Sequence, residues 1–232
     1  MQRLPVDLGL HLNFTEPLPG NRYCQPLARL LGGALMRALE QRVITAEIER
    51  QLSTFEAVIG AAPDYVDGHQ HVHQLPVIRD CLLAVLRRRY PERLPWLRST
   101  LPAPGPVGGN WRCRLKARLI AALGGSALNR SAGVLGFRMN RHLLGVYDFT
   151  GGEPGYSSLL GEWLSHAASD DLLMCHPAGF ADDSLAFGPQ RFAEYRVLSG
   201  GLFVQLLDCH GLSVGQLAGG TCRVSARSPA GA

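Results

Sequence analysis

Strict alternation of apolar and polar residues marks the beginning of the chain. In "VDLGLHLNF", residues 6 to 14, the apolar side chains occupy every second position, namely Val6, Leu8, Leu10 and Leu12. The residues between them are Asp7, Gly9, His11 and Asn13. A period of two predicts a half-buried β-strand. His11 then lies on the polar face of that strand.

Helical periodicity dominates the rest of the chain, with short apolar runs between the periodic segments. The predicted helices cover residues 27–42, 45–60 with Thr45 as N-cap, 75–90 with Pro76 in the first turn, 111–129, 156–168 and 189–199. The predicted strands include Tyr65–Asp67, "LPWLRST" and the apolar run "LLMCH". Short strands that alternate with helices predict parallel β/α units, as either a barrel or an open sheet.

Length and composition favour one soluble globular domain. The chain has 232 residues, of which 46% are hydrophobic and 18% charged, as is usual for such a domain. We predict a single domain over residues 1–218 and a disordered tail over 219–232. Six cysteines without a CxxC pair indicate reduced thiols in a cytoplasmic protein. The N-terminal stretch lacks a long apolar region before a small-residue cleavage site, and no apolar run approaches eighteen residues, so we expect neither secretion by that route nor a membrane span.

The basic residues give a modest net charge of +4. Their local concentrations, Arg87 to Arg89 and Arg112 to Arg118, have helix-like apolar neighbours. We interpret both as solvated basic faces, the alternative being a patch that binds anions or nucleic acid. We therefore predict no nucleic-acid partner.

Three histidines at alternate positions stand out in "DGHQHVH", residues 67 to 73. A neutral imidazole at the carboxyl end of a strand is a good ligand for a divalent metal. His69, His71 and His73 share one face only while the chain stays extended, so one or two ligands are expected here. The alternative is that these histidines form ordinary surface or hydrogen-bonding contacts near a turn.

A further histidine, His176, follows the apolar run "LLMCH" directly before Pro177. Because an imidazole titrates near neutrality, His176 is a candidate general acid or base. The alternative is a strand-terminal histidine that caps a loop carbonyl.

The segments "GLHLNFT", "VDGHQHVH" and "MCHPAG", in this order and spacing, resemble the YdjC-like carbohydrate deacetylases. That group includes chitooligosaccharide deacetylases and the HpnK proteins of hopanoid biosynthesis. The resemblance runs from about residue 6 to about residue 210. It implies an α/β fold, a (β/α) barrel-like architecture similar to that of polysaccharide deacetylases. It also implies that His11 and His69 bind a divalent metal, Mg²⁺ or Zn²⁺, and that His176 lies in the active site.

One family motif is missing from this sequence. Family members begin with a strand that ends in an "ADDFG"-like stretch, whose aspartates supply the third metal ligand, and no "DDFG" occurs here. The resemblance therefore implies that the first β/α unit is absent. A late start codon or truncated gene model is the favoured explanation; a degraded relative, or a second chain that covers the gap, is the alternative. Asp67, Asp7 or Asp148 could replace the missing carboxylate, and Asp67 could instead orient a ligand histidine.

The resemblance implies a metal-dependent hydrolase that removes the acetyl group from an N-acetylated amino sugar, oligosaccharide or glycolipid head group. We expect His176 and Asp67 to be catalytic, and weak metal binding with little activity in the chain as written. The expected partner is the N-acetylated carbohydrate, with a homodimer as a further option. The alternatives are a non-catalytic remnant of the family and a generic amidohydrolase-like metal hydrolase.

Overall fold

The computed structural model describes residues 6–17, 20, 22–182, 184 and 186–218, which divide into two compact units. Unit 1 contains the described residues of Met1–Thr100, Ile120–Asn140 and Gln216–Gly220. Unit 2 contains those of Leu101–Leu119 and Arg141–Gly215. The single domain over 1–218 stays a prediction, and the tail predicted for 219–232 lies outside the described residues.

Short strands alternate with helices along the described chain. In chain order the elements are β1 (Gly9–Leu12), α1 (Leu27–Leu35), α2 (Gln41–Ile59), β2 (Tyr65–Gly68), α3 (Ile78–Arg89), β3 (Trp96–Leu97), α4 (Trp111–Ile120), α5 (Ser126–Val134), β4 (Leu143–Leu144), α6 (Gly152–His166), β5 (Leu172–Leu173), α7 (Gly188–Ser199) and α8 (Gly201–Cys209). A 3₁₀ segment, His69–Gln74, follows β2, and a π-helical segment, Ala121–Gly125, joins α4 to α5.

The sheet of unit 1 is parallel and has the order β1-β2-β3. On one face, Gly9 pairs with Tyr65, whose ring stacks on that of Trp96 with centroids 4.4 Å apart. A Cβ atom at Gly9 would lie 2.4 Å from the Tyr65 ring. A glycine in this strand therefore makes room for the aromatic pair.

The opposite face of the sheet lies against the core of unit 1. Leu12, Val66 and Leu97 are fully buried there, together with Leu52 of α2 and Leu82 of α3. Burial of each leucine side chain contributes about 1.5–3 kcal/mol. This core fixes the sheet, and so the direction in which its polar face points.

The first strand is shorter than its alternation predicts. Regular pairing covers Gly9–Leu12, and Leu12 is fully buried. Val6 and Leu8, predicted to share the apolar face, are exposed. Both residues precede the segment that pairs with β2. The predicted apolar face of the strand is therefore buried only within that paired segment.

Several helix boundaries differ from the sequence prediction. The helix predicted for 75–90 begins at Ile78, because Val77 directly before it has a left-handed φ of 69°, so the prediction that Pro76 lies in its first turn was wrong. The helix predicted for 27–42 ends at Leu35, where the chain turns through Arg37 with a left-handed φ of 55°. The next helix begins at Gln41 after Glu40, so the prediction of Thr45 as N-cap was wrong. Thr45 lies inside α2, because apolar contacts of Ile44 and Ile48 extend this helix towards the N-terminus.

The helix predicted for 111–129 is interrupted at a glycine. Gly124 has a φ of 141°, and a Cβ atom there would lie 2.2 Å from the Gln74 carbonyl oxygen. The Gln74 side chain also donates a hydrogen bond to the Ile120 carbonyl, at 2.6 Å. The close approach of the Gln74 backbone therefore requires glycine here and accounts for the break.

Unit 2 contains a small parallel sheet and an aromatic core. β4 pairs with β5, and Pro102 forms an isolated parallel bridge to Leu143. Tyr147, Tyr156 and Trp163 pack together, each almost fully buried. The predicted "LLMCH" strand is confirmed only at Leu172–Leu173, and these two residues are half-buried.

The described strands confirm a mixed α/β fold with parallel sheets. Closure into a barrel stays a prediction, because the described strands form one three-stranded and one two-stranded sheet. Among the described residues, no helix has the length and apolar character needed to cross a membrane.

Candidate functional site

The register of the first two strands brings His11 and Asp67 together. His11 in β1 pairs directly with Asp67 in β2, so the two side chains lie on the same face of the parallel sheet. His11 Nδ1 and Asp67 Oδ1 are 2.7 Å apart and share a hydrogen bond. When Asp67 is ionised, His11 donates from Nδ1, which leaves Nε2 as the ring nitrogen with a lone pair.

A buried arginine holds the second oxygen of Asp67. Arg98, in the segment that follows β3, places Nη1 2.6 Å from Asp67 Oδ2. Its Nη2 donates to the Gly68 carbonyl at 2.6 Å. Burial alone would raise the pKa of Asp67, but the hydrogen bond from His11 and the positive charge of Arg98 lower it below its ordinary value. Asp67 is therefore a carboxylate whose two oxygens are both engaged.

A sharp turn places His69 beside His11. Gln70 and His71 both have positive φ, 49° and 61°, so the backbone leaves the extended conformation directly after His69. The His11 and His69 rings meet edge to face with centroids 5.5 Å apart. Burial lowers the pKa of His69, although the nearby Glu16 carboxylate acts in the opposite direction. His69 Nε2 lies 3.2 Å from Glu16 Oε1.

The other two histidines of the run make structural contacts. His71 Nδ1 lies 3.3 Å from Arg98 Nη2. His73 is fully buried and its Nε2 lies 2.9 Å from the Arg98 carbonyl oxygen, so that a neutral ring donates there. Burial lowers the pKa of His73 to about 4. The turn therefore separates the three histidines, and one or two metal ligands from this run stays a prediction.

Two of the replacement carboxylates considered from the sequence make other contacts. Asp7 Oδ2 accepts hydrogen bonds from the Trp96 indole at 3.0 Å and from the backbone N–H groups of Leu217 and Ala218, each at 2.9 Å. Asp148, in unit 2, accepts a hydrogen bond from the Thr150 hydroxyl at 2.9 Å.

We tested whether these residues suit a divalent metal. His11 and His69 supply two imidazoles, and Asp67 supports His11 through the other ring nitrogen, which is a frequent arrangement around metal-bound histidine. Among the residues that the structure describes, no group of three His, Cys, Asp or Glu side chains is placed to hold a metal ion. His11 and His69 are therefore suitable as two ligands of a divalent metal. The described part of the chain does not place a third protein ligand beside them.

His176 lies in unit 2, where α7 holds its backbone. The His176 N–H donates to Glu194 Oε2 at 2.5 Å, and its carbonyl accepts from Arg191 Nε at 3.1 Å. The imidazole packs edge to face on Phe149, with centroids 5.2 Å apart. Glu194 is fully buried and also accepts a hydrogen bond from the Tyr147 hydroxyl at 2.6 Å. Burial raises the pKa of Glu194.

Sequence reasoning missed Arg98 and Glu194. Arg98 directly follows the short "LPWL" strand. Its position at the end of a strand was the only local indication of a role in the site. Glu194 lies inside a helix among apolar residues, "RFAEYRVL", with no pattern to distinguish it from a surface glutamate. Both are recognisable only from their burial and their contacts.

A solved structure shares the fold of this chain. It is that of an Enterococcus faecalis protein whose suggested activity is cellobiose-phosphate cleavage. The TM-score is 0.55 at 18% sequence identity, and the match covers 91% of this chain and 75% of the other. At this identity the likeness supports the α/β fold alone.

Several relatives match parts of the sequence. A human carbohydrate deacetylase is 32% identical over 133 residues, which are 52% of this chain and 40% of the relative. A mouse carbohydrate deacetylase is 36% identical over 46% of this chain and 37% of the relative. A Yersinia pestis chitooligosaccharide deacetylase is 34% identical over 37% of this chain and 36% of the relative. The matched region spans two fifths or less of the length of each.

The match to a family model is more extensive and covers residues 1–208. That range includes His11, His69 and Asp67 as well as His176. It accounts for most of the described chain in both units. The chain therefore belongs to the family of YdjC-like proteins.

Proposed function

We propose that this chain is a metal-dependent carbohydrate deacetylase. Its substrate would carry an acetamide on an amino sugar, an oligosaccharide or a glycolipid head group. Family membership supports this, together with relatives named carbohydrate deacetylase and chitooligosaccharide deacetylase. The observation that carries the proposal is the hydrogen-bonded His11–Asp67 pair beside His69, at the carboxyl ends of parallel strands.

His11 and His69 would hold the metal through imidazole nitrogens. A bound Mg²⁺ or Zn²⁺ supplies Lewis acidity towards the acetyl oxygen and the attacking water. Asp67 keeps the proton of His11 on Nδ1 and fixes the ring, so we assign it a positioning role. Arg98 keeps Asp67 ionised and in place. His176 is proposed as the acid or base that moves a proton to or from the reacting groups.

Two imidazoles bind a divalent metal more weakly than a three-ligand site, so we expect weak affinity and slow turnover. Cytoplasmic localisation is part of the proposal and rests on the scattered cysteines. Of these, Cys24, Cys81, Cys113, Cys175 and Cys209 are unpaired within the described residues.

The proposal predicts that metal binding and acetate release depend on the same residues. Zn²⁺ binding by isothermal titration calorimetry should be lost in His11→Ala and in His69→Ala. Asp67→Asn should weaken it about 10–100-fold, because the support of the His11 ring is altered. Acetate release from N-acetylated chitooligosaccharides, with Mg²⁺ or Zn²⁺ added, should be low in the unaltered chain and absent in both alanine variants.

His142→Ala is the matched control, because His142 also pairs with an aspartate, Asp171, at 3.0 Å but lies in unit 2. It should leave Zn²⁺ affinity unchanged. Turnover that survives both His11→Ala and His69→Ala would contradict the metal assignment. Intact metal binding without acetate release from any N-acetylated sugar would contradict the deacetylase assignment.

A further inference from the structure

Helix α4 presents an apolar stripe to solvent. Trp111, Leu115 and Leu119 recur at intervals of four residues and are 62%, 46% and 56% exposed. On the opposite side Cys113 is buried in the core of unit 2. The helix therefore packs through one face and leaves a second apolar face unpartnered among the described residues.

Basic side chains border this stripe on both sides. At 100° per residue, Arg114 and Arg118 project on one flank of the stripe and Arg112 and Lys116 on the other. The Arg112 guanidinium lies 5.6 Å from the centre of the Trp111 ring, and Lys116 Nζ donates to the Tyr147 carbonyl at 2.8 Å. The helix contains no acidic residue.

The charge imbalance continues beyond the helix within unit 2. Residues 101–119 and 141–147 contain five Lys and Arg residues and no Asp or Glu, whereas the whole chain has a net charge of only +4. A cavity of about 420 Å³ opens beside the stripe and is lined by Gly105, Pro106, Trp111, Arg114, Leu115 and Arg118. Two guanidinium groups at an open apolar cavity suit the phosphate of a lipid head group.

We propose that α4 docks on an anionic lipid membrane. The helix would lie in the plane of the interface, with Trp111, Leu115 and Leu119 among the head groups and upper acyl chains. The arginines on its flanks extend towards lipid phosphates while their aliphatic parts cover apolar surface. At ten residues, or about 15 Å, the helix is far shorter than a bilayer core.

Charge complementarity selects this occupant over others. A second copy of the chain docked symmetrically on the same face would bring the arginine flanks of two α4 helices together, and like charges repel. A nucleic acid would satisfy the arginines but leave the apolar stripe without a partner. An anionic bilayer satisfies both.

Trp111 makes the proposal directly measurable. The other two tryptophans, Trp96 and Trp163, are buried, so changes in tryptophan emission on binding should report Trp111. Vesicles of phosphatidylglycerol mixed with phosphatidylcholine should shift the emission of the full chain to the blue and sediment with it. Phosphatidylcholine vesicles should bind far less, and added salt should weaken binding to the anionic vesicles.

Substitutions on the stripe and its flanks separate the two contributions. Leu115→Ser with Leu119→Ser retains the Trp111 reporter and should weaken vesicle binding about tenfold or more. Arg114→Ser and Arg118→Ser should each weaken it about fivefold. Val58→Ser with Val134→Ser removes exposed apolar side chains elsewhere and should change nothing. All these positions except the half-buried Arg114 are exposed, and circular dichroism would verify folding of every variant.

Three results would overturn the proposal. One is the absence of sedimentation with anionic vesicles at low salt. Another is equal vesicle binding by the unaltered chain and the Leu115/Leu119 variant. The third is dimerisation in the absence of lipid that the same two substitutions abolish, since the stripe would then pair with a second copy.

Discussion

Individual side chains at the carboxyl end of the unit 1 sheet have different roles despite their closeness in sequence. His69 packs beside His11, whereas His73, four residues further on, is a buried core histidine that contacts the Arg98 carbonyl. Arg98 connects these environments, because it contacts Asp67 and Gly68 as well. Histidine therefore has two roles here: His69 is a candidate metal ligand, and His73 packs in the core.

Acid should destabilise the protein through His73. Its pKa of about 4 in the folded chain lies below the ordinary value of 6.5, so between these values the unfolded chain binds more protons. Stability is present above about pH 6.5 and falls as the pH drops towards 4, by up to about 3 kcal/mol. Urea unfolding at a series of pH values would measure this loss.

His73→Gln is the informative variant, because its amide can still donate to the Arg98 carbonyl but does not titrate in this range. It should reduce the pH dependence between 6.5 and 4, whatever its stability at neutral pH. An unchanged slope would show that His73 is not the group responsible.

Among the elements, α7 carries out the clearest positioning task. Its residues Arg191 and Glu194 form hydrogen bonds with the backbone of His176. Glu194 also accepts a hydrogen bond from the Tyr147 hydroxyl. A helix thus fixes a loop that has no regular structure of its own. The buried carboxylate accepts from both the His176 N–H and the Tyr147 hydroxyl.

Two substitutions of Glu194 should show whether its hydrogen bonds or its charge contribute to the stability of the protein. Glu194→Leu removes the carboxylate that accepts from the Tyr147 hydroxyl and the His176 N–H, so we expect a loss of about 2–4 kcal/mol in the free energy of unfolding. Glu194→Gln can accept from the His176 N–H and donate to the Tyr147 oxygen, and should cost about 1 kcal/mol or less.

Glu153→Leu is the matched control for α7. Glu153 of α6 pairs with Arg196 of α7 at 2.6 Å, but both side chains are exposed. Its loss should change the free energy of unfolding by less than about 1 kcal/mol. Thermal and urea unfolding would rank the three variants, and equal effects of Glu153→Leu and Glu194→Leu would contradict this role for Glu194.

For the whole molecule, the main feature is the presence of two separate hydrophobic cores. Aliphatic side chains of α2, α3 and the three-stranded sheet form the core of unit 1. Aromatic residues of α6, together with Tyr147, dominate that of unit 2. Leu82 and Leu160 are fully buried, one in each core.

Substitutions in the two cores should act independently. Leu82→Ala and Leu160→Ala should each cost about 2–5 kcal/mol, and the double variant should lose the sum to within about 0.5 kcal/mol. Urea titration of the four proteins would measure the coupling. A coupling energy above about 1 kcal/mol would show that the cores are not independent.

The sequence by itself determined the local pattern: a strand through His11, a strand that ends near Asp67, helices between them, and a histidine after the "LLMC" run. These follow from hydrophobic periodicity, which reflects only neighbours along the chain. The sequence also led to the prediction of one or two metal ligands from residues 69–73, because alternate residues share a face only while the chain is extended.

Only the tertiary structure decided which atoms meet. The pairing of His11 with Asp67 depends on the register of strands 56 residues apart, and the position of His69 depends on a left-handed turn held by contacts with Arg98. The end of α1 and the start of α2 likewise depend on packing rather than on capping side chains. Long-range contacts and backbone turns of this kind leave no periodic pattern in the sequence. They become visible only in the folded structure.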